Sequence, residues 1–170
     1  MEYNASLNDM HKLNSEWTLW AHLPHDIDWS IKSYKKILDI SYVEEAVVLM
    51  ESLPAKMIKN CMLFLMRKGI KPMWEDEKNR MGGSFSYKVS NKNIEKTWIK
   101  LSYILIGETL TKKKEISDTI TGITISPKKN FCVIKIWLST CDRQDPNIVN
   151  EVVEDIKPQG CLFKRHCPEY

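Results

Sequence analysis

The stretch Gly69-Ile70-Lys71-Pro72-Met73-Trp74-Glu75-Asp76-Glu77-Lys78-Asn79-Arg80-Met81-Gly82-Gly83 sets an indole beside a carboxylate. Proline just before Met73-Trp74 favours an extended, turn-like backbone over a helix. Trp74 and Glu75 are therefore expected on a loop. A flat aromatic face next to an acid suits a planar, partly cationic ligand with N–H donors along one edge. Stacking supplies the affinity and the carboxylate supplies the identity. The pair Gly82-Gly83 is expected to lead into a new strand.

Six tryptophans in 170 residues are unusual, and most buried tryptophans are simply core. Each position has to be judged separately. Trp98 falls in the stripe Ile94, Trp98, Leu101, Leu105, the apolar face of a helix, and reads as core. Trp29 ends the loop Leu23-Pro24-His25-Asp26-Ile27-Asp28 without a periodic apolar partner. An exposed or half-exposed tryptophan on a loop points to a ligand. In the run from Phe131 to Thr140, Cys132, Ile134 and Ile136 share one face, and Val133, Lys135 and Trp137 share the other. Trp137 and Lys135 are expected to make a partly open surface of aromatic ring and cation.

Other chemistries have less support. Glu75, Asp76 and Glu77 could hold a metal, as could His22 with His25, or Cys161 with His166 and Cys167. For the cysteine site no second ligand pair has a suitable spacing, and His22 with His25 reads better as part of an ordinary polar loop. The odd count of five cysteines, without a Cys-x-x-Cys pair, reads as reduced thiols. Neither a P-loop nor a nucleophile elbow is present, so an enzyme acting on nucleotides is the weaker reading. A net charge of +3 is too small for a protein that coats nucleic acid, but it allows a local basic pocket. No apolar run approaches the ~18 residues that span a bilayer. The N-terminus lacks a signal-peptide pattern, so the chain reads as cytoplasmic.

The elements that must position these residues follow from periodicity and punctuation. Residues 1–15 are polar and expected to be loosely ordered, and residues 16–170 form one domain. Strands are expected from Glu16 to His22, Tyr34 to Ile40, Met62 to Arg67, Phe85 to Val89 and Cys161 to His166. Thr119 to Ser126 and Phe131 to Thr140 form a hairpin across Pro127-Lys128-Lys129-Asn130. In the first strand Trp17 and Trp20 must face opposite ways. One helix should run from Tyr42 to Leu53, opened by a Ser41/Glu44 capping box and closed by Pro54. A second starts at Ile94 and ends near Gly107. A third starts at Asp145-Pro146 and buries Ile148, Val149, Val152, Val153 and Ile156. Residues 55–60 read as a linker and Lys112 to Glu115 as a charged surface segment. This order suits an α+β fold, a curved antiparallel sheet with helices on one side, better than a parallel sheet.

The run Pro72 to Asn79 followed by Gly82-Gly83 resembles the signature of the mRNA cap-binding translation initiation factors of the 4E class. The resemblance runs from about Trp17 to His166. It includes Trp17-Thr18-Leu19-Trp20, Trp29, Trp98 with Ile106-Gly107-Glu108, and Trp137 at the end of a β-run. It implies about eight strands, three helices on the convex back and a ligand in the concave face. That ligand would be the 7-methylguanosine cap, its cationic base stacked between Trp29 and Trp74, its edge read by Glu75 and its N7-methyl group against Trp137. Lys128 matches the family's basic position in the hairpin turn, with Lys129 beside it, and Lys135 shares the face of Trp137. The chain departs from the pattern at Ser84 and Val133, which stand where the family has cations, so altered phosphate binding is expected, with Arg80 as a substitute. Phe85 replaces a tryptophan. On the convex side Val43, Val47, Ile99, Tyr103 and Gly107 match the positions that take a partner helix from a scaffold factor or repressor, with Val47 in place of a tryptophan and His11-Lys12 in place of a His-Pro. The implied protein is a non-enzymatic monomer without cofactor or membrane contact. Its function is cap binding for translation initiation or, alternatively, repression or decoy binding without the scaffold.

Overall fold

Alternation along the strands sorts their side chains into a helix-covered back and an open front. The computed structural model describes residues 6–166. In chain order it contains β1 (Lys12–His22), β2 (Tyr34–Tyr42), α1 (Val43–Ser52), α2 (Ala55–Asn60), β3 (Met62–Arg67), β4 (Gly83–Ser90), α3 (Ile94–Ile106), α4 (Lys114–Ser117), β5 (Ile120–Pro127), β6 (Phe131–Leu138) and β7 (Leu162–Arg165). All strands pair antiparallel in one curved sheet of order β2-β1-β3-β5-β6-β4-β7. The described residues hold seven strands where about eight were expected.

The register explains the division. Leu19 lies opposite Leu65, Leu65 opposite Ile123, Ile123 opposite Ile136, and Ile136 opposite Phe85. This apolar belt is buried against Ile94, Trp98, Leu101 and Leu105 of α3 and Ala46, Leu49 and Met50 of α1. The neighbouring row, Trp20, Phe64, Thr124, Lys135 and Ser86, faces the front. Trp17 and Trp20 thus separate as expected, with Trp17 fully buried. β3 reads as one continuous apolar run because it is covered on both faces, by helices behind and by a small cluster of Phe64, Met66 and Trp137 in front. Arg67 closes the strand over the Trp17 ring and pairs with Glu108 at 2.9 Å, while its Nε and Nη2 donate to the carbonyls of Ile120 and Ser117. Glu108, just past the α3 cap at Gly107, takes a left-handed φ of 55° to meet it.

Several sequence expectations need correction. Strand β1 starts at Lys12 rather than Glu16, because Lys12 already pairs with Tyr42 across a register shift. Residues 1–5 lie outside the described residues, as does Cys167. The glutamate that caps α1 is Glu45, not Glu44. Tyr42 ends β2 in extended backbone, so N3 falls at Glu45, whose carboxylate accepts the Ser41 and Tyr42 N–H groups at 2.7 and 3.1 Å. Glu44 instead meets the His11 ring at 2.6 Å. Residues 55–60 form α2, not a linker, and Lys114–Ser117 makes a short helix. The largest difference is the third helix, of which only a 3-10 turn at Pro146–Ile148 exists. Val149, Val153 and Ile156 are still buried, but Val152 is exposed. Three β-branched valines weaken any helix there. Tertiary partners satisfy the backbone and anchor the segment instead. Asn150 N–H donates to Leu110 C=O, Asn150 Nδ2 to Thr109 C=O, and Thr97 Oγ1 to Asp155.

The glycine pair shows why β4 begins where it does. A Cβ on Gly82 would lie 1.7 Å from Leu138 O, and one on Gly83 would lie 2.4 Å from the Phe163 ring. Gly82→Ala is therefore expected to cost about 3 kcal/mol or more through backbone displacement, read as a lowered urea midpoint. Ala at Gly69, where φ is +88° but nothing lies within 4 Å, should cost about 1 kcal/mol from backbone strain alone.

Candidate functional site

The segment from Gly69 to Gly82 has no ladder of its own, so its backbone groups must find partners elsewhere. Two side chains supply most of them. Asp76 accepts the Lys71 and Lys78 N–H groups, both at 2.9 Å. Asn79 is fully buried, and its Nδ2 donates to the carbonyls of Lys71 and Met73 at 3.1 and 2.9 Å. Asn79 C=O in turn accepts from His166 Nδ1 at 3.0 Å, and His166 N–H donates to Gly82 C=O. The loop is thereby stapled to the end of β7, and Trp74 and Glu75 project from a fixed turn, as the proline predicted.

The Trp29 loop is built the same way. Asp28 accepts the N–H and hydroxyl of Ser30, and Asp26 accepts the Asp28 N–H. Asp28 C=O accepts from His22 Nε2 at 2.8 Å. This bond brings the buried His22 ring flat against Trp29, with centroids 4.0 Å apart and planes within 5°.

The two loops meet over the front of the sheet. Trp29, Trp74 and Glu75 line one cavity of about 320 Å³, together with Tyr34, Met62, Phe64, Pro72, Met73, Thr124, Ser126, Lys135 and Trp137. Both wall indoles are accessible, Trp29 at 53% and Trp74 at 40%. Each wall is a stacked pair. Trp29 rests on His22, and Trp74 lies 5.7 Å from His166 at an interplanar angle of 10°. Trp137 projects to the front as alternation required, but it is 3% exposed rather than partly open. It forms the floor, its Nε1 donating to Thr124 Oγ1 at 3.3 Å and its ring tilted against His166. Burial, with the nearby Glu75 charge, pushes the Tyr34 phenol up to about 12, so it stays a neutral donor beside that carboxylate.

Lys135 and Lys164 each bring an ammonium to 5.7 Å from the Trp74 ring. Lys128 lines an adjoining cleft with Trp29, His22 and Lys59. Lys129 is exposed in the same turn, and Arg80 is exposed on the Trp74 loop. Sequence reasoning did not find His22, His166, Lys164, Tyr34, Asn79 or Thr124 as parts of the site. Only Asn79 carried a local signal, as a turn-forming amide.

On the back, Val43 and Tyr103 are exposed, Val47 and Ile99 half-buried, and Gly107 exposed at the end of α3. Burial, and then the charge of Glu51 on α1, raises the Tyr103 phenol above its ordinary value. Among the described residues no helix is long and apolar enough to cross a membrane.

The family model for eukaryotic initiation factor 4E matches residues 12–165. Eukaryotic translation initiation factor 4E-2 of Schizosaccharomyces pombe is 32% identical over 144 residues, which is 79% of this chain and 56% of that protein. The corresponding factor of Candida albicans is 28% identical over 170 residues, 91% of this chain and 75% of that protein. The chain thus spans little more than half of the first relative and three quarters of the second. The fold is similar to that of C. elegans eIF4E-3, solved in complex with the 4E-binding protein Mextli and cap analog, with a TM-score of 0.71 and 26% identity over 81% of this chain and 79% of that one. Ascaris suum eIF4E-3, solved with m7G cap, shares the fold at a TM-score of 0.70 and 22% identity, over 82% of this chain and 78% of that one.

His166 gives the site a titration signature. Its Nδ1 proton is committed to a carbonyl, and its Nε2 is buried without a partner. Burial, and then the Lys135 charge, holds its pKa below the ordinary histidine value, while the Asn79 bond offsets part of this. Below the ordinary value of about 6.5 the unfolded chain takes up a proton that the folded chain refuses. Stability is therefore fully present above that value and falls as pH falls toward the lower folded value. A His166→Phe variant should lose this share of the slope, measured as the difference in urea midpoint between the two proteins from pH 7.5 to pH 5.5.

Proposed function

The chain belongs to the eukaryotic initiation factor 4E family, and from that membership we propose that it binds the 7-methylguanosine cap of mRNA in translation initiation. The observation that carries this reading is the one cavity lined by Trp29, Trp74 and Glu75. N7-methylation makes the guanine ring cationic, and a cationic plate between two indoles gains cation–π as well as stacking energy. Each face contributes roughly 1–3 kcal/mol. Glu75 accepts the ring N1–H and the exocyclic amine, charge-assisted bonds worth about 1.5–3 kcal/mol each before desolvation. Adenine lacks that donor pair and is rejected. The Trp74 N–H reaches the base carbonyl, and the N7-methyl group packs on Trp137. The histidines behind each indole support the reading, because they hold the walls in place before any base arrives. Lys128, Lys129 and Lys135 supply positive charge for the phosphates.

The reading assigns binding and no reaction, to a cytoplasmic monomer. It extends to the back of the sheet, where Val43, Val47, Ile99, Tyr103 and Gly107 offer a partly apolar strip between α1 and α3. An amphipathic helix from a scaffold factor or repressor fits such a strip through a few apolar anchors.

Tryptophan-fluorescence titration tests the front. Wild type should bind 7-methyl-GTP well ahead of GTP. Trp29→Ala should lose about 1–3 kcal/mol, and Glu75→Ala should lose the preference for guanine over adenine caps. Equal affinity for methylated and unmethylated GTP overturns the reading. On the back, Val47→Trp should tighten binding of a scaffold-derived helical peptide about tenfold, the equivalent of ~1.4 kcal/mol. An unchanged pull-down would remove the strip from the partner surface.

A further inference from the structure

We propose that Lys164, which with Lys135 brings an ammonium to the Trp74 ring, is the cation that couples phosphate binding to base stacking in this chain. The inference rests on the cap-binding reading and assigns it a residue that the hairpin-turn lysines do not cover. The starting observation is the register of β4. Ser84, which stands where a cation was expected, lies opposite Lys164 on β7 and opposite Trp137 on β6. Lys164 therefore projects from the same cross-strand row and face as the missing charge. Lys135 leans in from β6, and both ammoniums stand 5.7 Å from the Trp74 ring.

None of these cations is held in an ion pair. Among the described residues the ion pairs involve Glu44, Asp39, Glu108, Glu16 and Asp118, and none includes Lys128, Lys135 or Lys164. Burial, then the charges of Lys164 and Lys128, lowers the pKa of Lys135. Three lysines that repel one another around the cavity, against the Glu75 carboxylate within it, leave a net positive field, and an anion is what such a field takes. The same field opposes a cationic base that arrives alone. Base and phosphates are thus bound as one unit. The phosphates neutralise the lysines, and only then is the stack on Trp74 free of repulsion.

This arrangement gives Lys164→Gln opposite effects on two ligands. Lys164 is exposed on a short edge strand, so the variant should fold as wild type does. Affinity for 7-methyl-GTP should fall several-fold, and the slope of log affinity against log salt should become shallower by about one. Affinity for the neutral-tailed nucleoside 7-methylguanosine should stay equal or rise. Lys88→Gln, on the same front of β4 but over the Phe131 ring at 4.4 Å, serves as the charge control and should leave both ligands unchanged. An unchanged 7-methyl-GTP affinity and salt slope in Lys164→Gln overturns the assignment while leaving cap binding intact. Parallel losses for nucleoside and triphosphate also overturn it, because they would mean a damaged stack. Failure of wild type to prefer 7-methyl-GTP over GTP overturns the cap-binding reading itself.

Discussion

Asn79 is the interaction on which the site's geometry depends. The residues between Gly69 and Gly82 sit outside any helix or strand, yet one of them must hold an indole steady against a ligand. A buried side chain whose Nδ2 holds two carbonyls, on a residue whose main-chain carbonyl accepts from a buried imidazole, does this with three bonds. In a low-dielectric interior each such bond is costly to break. The arrangement also joins elements remote in the chain, since the imidazole comes from the end of the last strand. Rigidity at Trp74 is therefore a property of the loop and β7 together.

The sheet imposes the complementary constraint. The interior strand β3 must be apolar on both faces, because helices cover the back and Phe64, Met66 and Trp137 fill the front. Toward β4 and β7 the front becomes polar, with Ser84, Ser86 and Lys164 taking the outward positions. The cavity forms where these two regimes meet. Its floor is apolar enough to exclude water from a stacked ring, and its rim is charged enough to hold an anion. The Arg67–Glu108 pair fixes the far corner, tying β3 to the end of α3 and the start of β5.

Much of this was legible in the chain. Alternation separated Trp137 and Lys135 from the apolar set of β6, and the stripe through Trp98 identified α3. Proline before Met73-Trp74 and the glycine pair bounded the loop. What was not legible came from contacts between distant residues. No local pattern tells a histidine to stack on a tryptophan, and the sequence offered His22 and His166 only as weak metal-ligand candidates. Lys164 became part of the site only through the register that sets it opposite Ser84. The third helix failed for a related reason. Asp145-Pro146 gave a valid start, but after one turn Asn150 donates to the carbonyls of Thr109 and Leu110 instead of continuing a helix. The capping box shifted by one residue because β2 extends through Tyr42, which left Glu45 at N3.

β7 is four residues long and, among the described residues, has hydrogen-bonded neighbours on one side only. An outermost strand with free amides and carbonyls invites a stranger's backbone to add to it, and Leu162, 72% exposed, is an apolar foothold there. Adjacent Lys164 and Arg165 place two like charges along the same short rim, the usual deterrent to such annexation. The basic end of β7 thus guards the sheet against self-association, and trading those cations for neutral residues carries a solubility cost unrelated to any ligand.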